Sequence, residues 1–164
     1  MPTIALLNGH AFAGALMTAM HHDYRVMNPS KGYICLNELD FGVPLMPAMS
    51  GIFRIKTSPS TYRSLALEAH RFGGKDALEA GLVDGLGGLH EVLDLVAKRK
   101  QVEKGRSGVY AAMKREMYRE QVAMLGPEGM AVDEKRLEKE REAEDRRKEV
   151  GEKRVNEIKG KAKL

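Results

Sequence analysis

The 164-residue chain has a single cysteine, Cys35, so no internal disulfide can form, and a lone thiol fits a reducing compartment. No apolar run reaches the ~18 residues of a membrane-crossing helix. Charge of neither sign dominates: 27 Lys and Arg stand against 23 Asp and Glu, a net charge of +4. The two signs are interspersed, so the basic stripe that marks a nucleic acid partner is missing. His10, His21, His22, His70 and His90 lack ligand spacing and have no accompanying cysteine or carboxylate cluster, so no metal is expected. Gly73-Gly74-Lys75-Asp76 lacks the first glycine and the Ser or Thr of a phosphate loop. No segment repeats. The sequence enters a strand at once, so neither a signal nor a transit peptide is expected.

What is present gathers between Thr3 and Glu38. Thr3 to Leu7 is short, apolar and partly β-branched, the pattern of a strand buried on both faces of a parallel sheet. Asn8-Gly9 turns the chain, and Gly14 to Met20 is small or apolar almost all round, which predicts a buried helix. A second short strand ends beside one carboxylate, Glu38. Small residues at Ala13, Gly14 and Ala15 let a ligand approach the backbone, and free N–H groups at a helix start can face an oxygen that becomes negative. A carboxylate among Ile34, Leu36, Phe41 and Leu45 is poorly hydrated, as a proton shuttle to carbon requires. Cys35 reads as a packing residue.

Further on, helices are expected from about Pro47 to Phe53, over Tyr62–His70 with Ser58 or Ser60 as cap and Gly73-Gly74 as stop, and over Lys75–Ala80. Leu82-Val83 reads as a short buried strand. Leu89–Lys100 is amphipathic, with Leu89, Val92, Leu93, Val96 and Ala97 on one face. Val109 to Leu125 reads as one helix burying Val109, Met113, Met117, Val122 and Leu125, and Gly126-Pro127-Glu128-Gly129 stops it. Asp133 to Lys159 is charged throughout, a solvated helix or a partly disordered tail with i,i+4 pairs such as Glu142 with Arg146. The expected divisions are a core over 1–100, a helical region over 101–127 and a charged tail over 128–164.

Pro2-Thr3-Ile4-Ala5, Asn8-Gly9-His10-Ala11, Ala13-Gly14, His22-Asp23-Tyr24-Arg25, Leu36-Asn37-Glu38-Leu39-Asp40-Phe41-Gly42 and Lys75 to Asp84 together resemble the enoyl-CoA hydratase/isomerase (crotonase) family over roughly residues 2 to 100. The resemblance implies an α/β, crotonase-like (ClpP/crotonase) spiral core with a helical C-terminal region. It also implies an acyl-CoA thioester substrate, no cofactor, and a homotrimer or hexamer. Glu38 falls on the family's catalytic carboxylate. Gly14, next to Ala13, falls on the position whose N–H forms half of an oxyanion hole. Family hydratases carry a second glutamate where this chain has Met17, so the resemblance leans to Δ3,Δ2-enoyl-CoA isomerases of fatty acid β-oxidation, with a hydratase as alternative.

Family members carry a segment ahead of the Thr3 strand that supplies the second oxyanion N–H and a CoA-binding loop. Its absence here implies a core incomplete at the N-terminus, and leaves a second expectation: an impaired homologue acting as an oligomerisation or regulatory subunit. The final Ala162-Lys163-Leu164 resembles a Ser-Lys-Leu peroxisomal address, which implies an import receptor as partner.

Overall fold

The computed structural model describes residues 1–161; Ala162, Lys163 and Leu164 lie outside the described residues. Two compact units divide the chain, Met1–Leu125 and Gly126–Leu164.

The first unit is α/β. Strand β1 (Ile4–Leu7) is followed by β2 (Ala11–Phe12), helix α1 (Gly14–His21), β3 (Tyr24–Met27) and β4 (Ile34–Cys35). After these come α2 (Pro47–Lys56), α3 (Pro59–Glu68), α4 (Gly74–Glu79) and β5 (Gly85–Leu86). All named strand pairs are parallel: β3 lies between β1 and β5, with Ile4 opposite Tyr24 and Val26 opposite Gly85, while β2 pairs with β4. Parallel neighbours need a crossover, and α1 provides one between β1 and β3. Its Leu16, Met17, Ala19 and Met20 are buried against Ile52 and Phe53 of α2 and Leu65 of α3 in one core cluster. The buried-helix expectation holds.

Strand β1 departs from its expectation. It is an edge of its sheet among the described residues, and Leu6 is 38% exposed, so only one face is packed. Strand β3 was not expected, because Arg25 breaks its apolar pattern. Arg25 is nevertheless 5% exposed: its guanidinium donates to the carbonyl oxygens of Leu82 and His22 and pairs with Asp84 at 3.1 Å. Those bonds also move the last strand. Leu82 and Val83 are buried in a turn, and pairing with β3 begins only after Asp84, at Gly85.

Ser58 caps α3 as expected, accepting a hydrogen bond from the Thr61 amide. The helix ends earlier than expected, at Ala69 in a left-handed conformation. Gly73 precedes α4 instead, and Gly74 packs so close to Pro29 that a side chain there would overlap backbone.

Helices α5 (Leu89–Lys98), α6 (Gln101–Gly105), α7 (Gly108–Met117) and α8 (Arg119–Leu125) complete this unit. Leu89, Leu93 and Ala97 of α5 are exposed, while Val92 and Val96 are half-buried together with Leu95, which lies off the expected face. The single helix expected over Val109–Leu125 breaks at Tyr118, and its apolar row faces outward: Val109, Met113, Met117 and Val122 are each at least 60% exposed. The inward residue is Gln121, fully buried, whose amide nitrogen donates to the Ala48 carbonyl at 2.6 Å. A polar side chain therefore anchors α8 to α2, which hydrophobic periodicity does not detect.

Gly126 alone separates α8 from α9 (Pro127–Lys161), because Pro127 starts a new helix rather than stopping one. Within α9, Glu144 with Lys148 and Glu142 with Arg146 form i,i+4 ion pairs at 3.0 and 3.7 Å. Such pairs hold a solvated helix of this composition together.

Candidate active site

The pairing of β2 with β4 places Ala11 opposite Ile34 and Phe12 opposite Cys35, and the Ala13 amide extends it by donating to the Cys35 carbonyl at 3.0 Å. Gly14 thus begins α1 just beyond one strand, and Glu38 follows just beyond its neighbour. Both stand at the C-terminal ends of adjacent parallel strands, where ligands bind in open α/β sheets.

Glu38 opens a 3-10 turn over Leu39–Phe41. Its carbonyl accepts from the Phe41 and Val43 amides at 3.1 and 2.9 Å, and Gly42, at φ +65°, closes the turn in a conformation that favours glycine. The side chain makes no capping bond. It lines a cleft of about 730 Å³, and its Oε2 is shielded from solvent without a hydrogen-bond partner. A shielded polar atom left unpaired costs roughly 1–3 kcal/mol, so this oxygen is held where the fold gains nothing from it. The apolar surroundings come from Leu36, Leu45 and Tyr62. Two residues expected among them do not line the cleft: Ile34 is fully buried in the core cluster, and Phe41 is 73% exposed because the 3-10 turn carries it outward.

Gly14 provides the first amide of α1, which has no intrahelical acceptor. Nothing lies within 4 Å of a Cβ built on Gly14, so packing inside this chain does not require a glycine there. Ala13 before it sits at φ +50°, a conformation that costs a non-glycine residue about 1–3 kcal/mol. Neither residue lines the cleft that holds Glu38. The structure therefore brings the two halves of the expected site to neighbouring strand ends and gives the apolar cleft to Glu38 alone.

The pattern that describes the enoyl-CoA hydratase/isomerase family matches residues 1–160. The chain belongs to that family. Enoyl-CoA delta isomerase 2, peroxisomal, of Arabidopsis thaliana is 36% identical over 78% of this chain and 56% of its own length. Enoyl-CoA delta isomerase 3 of the same plant is 33% identical over 76% of this chain and 55% of its own. The chain thus spans about half the length of these curated relatives. A crystal structure of an enoyl-CoA hydratase/isomerase family protein from Pseudomonas syringae superposes with a TM-score of 0.69 at 23% identity, covering 82% of this chain and 57% of that one. The fold is the crotonase-like α/β fold that the resemblance implied.

Within this family setting Met17 is informative. It is 4% exposed inside the core cluster and does not line the cleft. Cys35 is fully buried, and burial raises its thiol pKa, which leaves it a packing residue. Among the described residues no group of three His, Cys, Asp or Glu is placed to hold a metal.

Sequence reasoning missed two features. One is the wall that α3 contributes: Tyr62 and Ala66 line the cleft, and Tyr62 stacks on the buried Phe53 with ring centroids 6.0 Å apart. Their helical spacing was visible, but the same spacing fits a core face. The other is Lys56, whose Nζ donates to the His22 carbonyl at 2.5 Å and lies over the Tyr118 ring. Desolvation, with the Arg25 charge adding to it, lowers its pKa to about 8.

Proposed function

We propose that this chain carries the proton-transfer half of an enoyl-CoA isomerase that shifts a 3-enoyl-CoA double bond to the 2-trans position. The observation that carries the reading is Glu38, an uncapped, partnerless carboxylate oxygen lining an apolar cleft. Glu38 takes a proton from C2 of the thioester, and the C–H electron pair becomes an enolate whose oxygen the Gly14 N–H receives. The enolate then closes C2=C3, the C3=C4 electrons take the same proton from Glu38 at C4, and the carboxylate is restored. Atoms balance without water, metal or redox partner. Hydration would need a second carboxylate to activate water, and Met17, where family hydratases carry that glutamate, is buried in the core. The family relatives named as enoyl-CoA delta isomerases support the same direction.

The reading places the protein in fatty acid β-oxidation. Two related isomerases of Arabidopsis thaliana, 2 and 1, have peroxisomal in their names and isomerase 3 has no compartment, so a peroxisomal address rests on these names together with the C-terminal tripeptide. A second reading, a subunit that assembles with other family chains as a trimer or hexamer, is favoured by the exposed apolar row on α7 and α8.

The test is to incubate the protein with a 3-enoyl-CoA and follow product by chromatography. The expected product is the 2-trans-enoyl-CoA. A 3-hydroxyacyl-CoA formed from 2-trans-enoyl-CoA at a comparable rate would move the assignment to a hydratase, and no turnover with intact acyl-CoA binding would favour the subunit reading.

A further inference from the structure

We infer that the Glu38 cleft is an open groove selecting long acyl chains, with Ala66 as the residue that keeps it passable. The inference rests on the acyl-CoA reading above. Its outer walls are apolar yet uncovered: Leu39 is 53%, Val43 55% and Leu67 70% exposed, and all three line the cleft. Leu39 begins the turn that follows Glu38 and Val43 lies just past it, while Ala66 lies one helical turn beyond Tyr62 on α3, with Leu67 next to it. The groove therefore starts at the reacting carboxylate and runs out between apolar side chains toward solvent.

At about 730 Å³ it falls within the roughly 300–1,000 Å³ that enclose most of a drug-sized ligand. A crotonyl-sized group would leave most of that space to water against apolar walls. A long acyl chain removes both from contact. The occupant follows from the same logic: hydrocarbon side chains make up most of the wall beyond Glu38, and the polar side chains on it, Arg54, Thr57 and Arg63, leave an apolar strip between Tyr62 and Leu39 for an acyl chain. Ala66 has the smallest side chain on this α3 wall. A large side chain there would obstruct the groove while leaving the space next to Glu38 free.

Calorimetric titration of the protein with hexanoyl-, decanoyl- and tetradecanoyl-CoA tests this without requiring turnover. Burying a methylene is worth about 0.8 kcal/mol, so affinity should rise roughly three- to fourfold for each methylene held in the groove. Ala66→Trp should leave hexanoyl-CoA affinity within about twofold and lower that of tetradecanoyl-CoA at least tenfold. Leu67→Ser, at an exposed position with little bearing on folding, should weaken the longest ligand selectively and by a smaller factor. Equal affinity for all three ligands in the unsubstituted protein would overturn the inference, as would both variants weakening every ligand alike. Chain-length selectivity in a protein without isomerase activity would sink the isomerase reading and leave the groove standing. Isomerase activity indifferent to chain length would do the reverse.

Discussion

Met17 and Asp23 carry opposite lessons at the scale of the residue. Met17 is a position where one side chain separates two reaction types, yet here it is also part of the core. Introducing a glutamate would put a carboxylate among hydrocarbon, so Met17→Glu should destabilise the fold by roughly 3 kcal/mol or more before any hydration is gained. Urea denaturation measures this, and a stability within about 0.5 kcal/mol of the parent would show that the α1 core yields more easily than its packing implies. Asp23 is a charged residue that the fold uses fully. Its carboxylate accepts from the Thr3 amide at 2.7 Å and from Lys114 Nζ at 2.9 Å, tying the start of β1 to α7. Burial pushes its pKa up, but the hydrogen bonds from Lys114 and Thr3 outweigh it and hold the group below the ordinary carboxylate value. A depressed folded pKa contributes stability above the unfolded value, and that contribution fades as pH falls through the folded one. Asp23→Asn should therefore lose stability at neutral pH and show a flatter decline below about pH 4. Thermal melts across pH 2–7 read both effects, and parallel curves would contradict the account.

Elements were legible wherever local chemistry decided them. The Ser58 cap, the proline-led α2, the buried α1 and the strand leading to Glu38 all rest on side chains next to each other in sequence. What escaped depends on partners far along the chain. Strand β3 is hidden because Arg25 finds Asp84, and the orientation of α7 and α8 is hidden because a glutamine, not a methionine row, meets α2. The cleft could not be read either, since the 3-10 turn after Glu38 sends Phe41 out and the facing wall comes from α3, more than twenty residues on. The α2–α8 contact gives a sharp test. Gly51 lies inside α2, where alanine ordinarily adds about 0.5–1 kcal/mol. A Cβ there would overlap the buried Gln121 Oε1 and approach Met124 Cε to 2.8 Å. Gly51→Ala should instead destabilise by about 1–3 kcal/mol. A gain in stability on chemical denaturation would mean that α8 is not held as described.

For the whole molecule, the outward row on α7 and the catalytic reading make separate demands. Val109, Met113 and Met117 are 65, 69 and 61% exposed, a stripe of the kind that marks an interface between chains. Light scattering should find the protein associated, and Met113→Asp with Met117→Asp should lower its mass; a monomer in both cases would remove the assembly proposal. The chemistry has a more direct test in Glu38→Gln, which keeps the shape of the side chain and removes the base. In a preparation that turns over a 3-enoyl-CoA, with acyl-CoA affinity measured alongside, the account predicts a loss of at least 100-fold in kcat with affinity within about threefold, in line with the ~10²–10⁴ that general acid–base catalysis supplies. Turnover within a few-fold of the unsubstituted protein would contradict it.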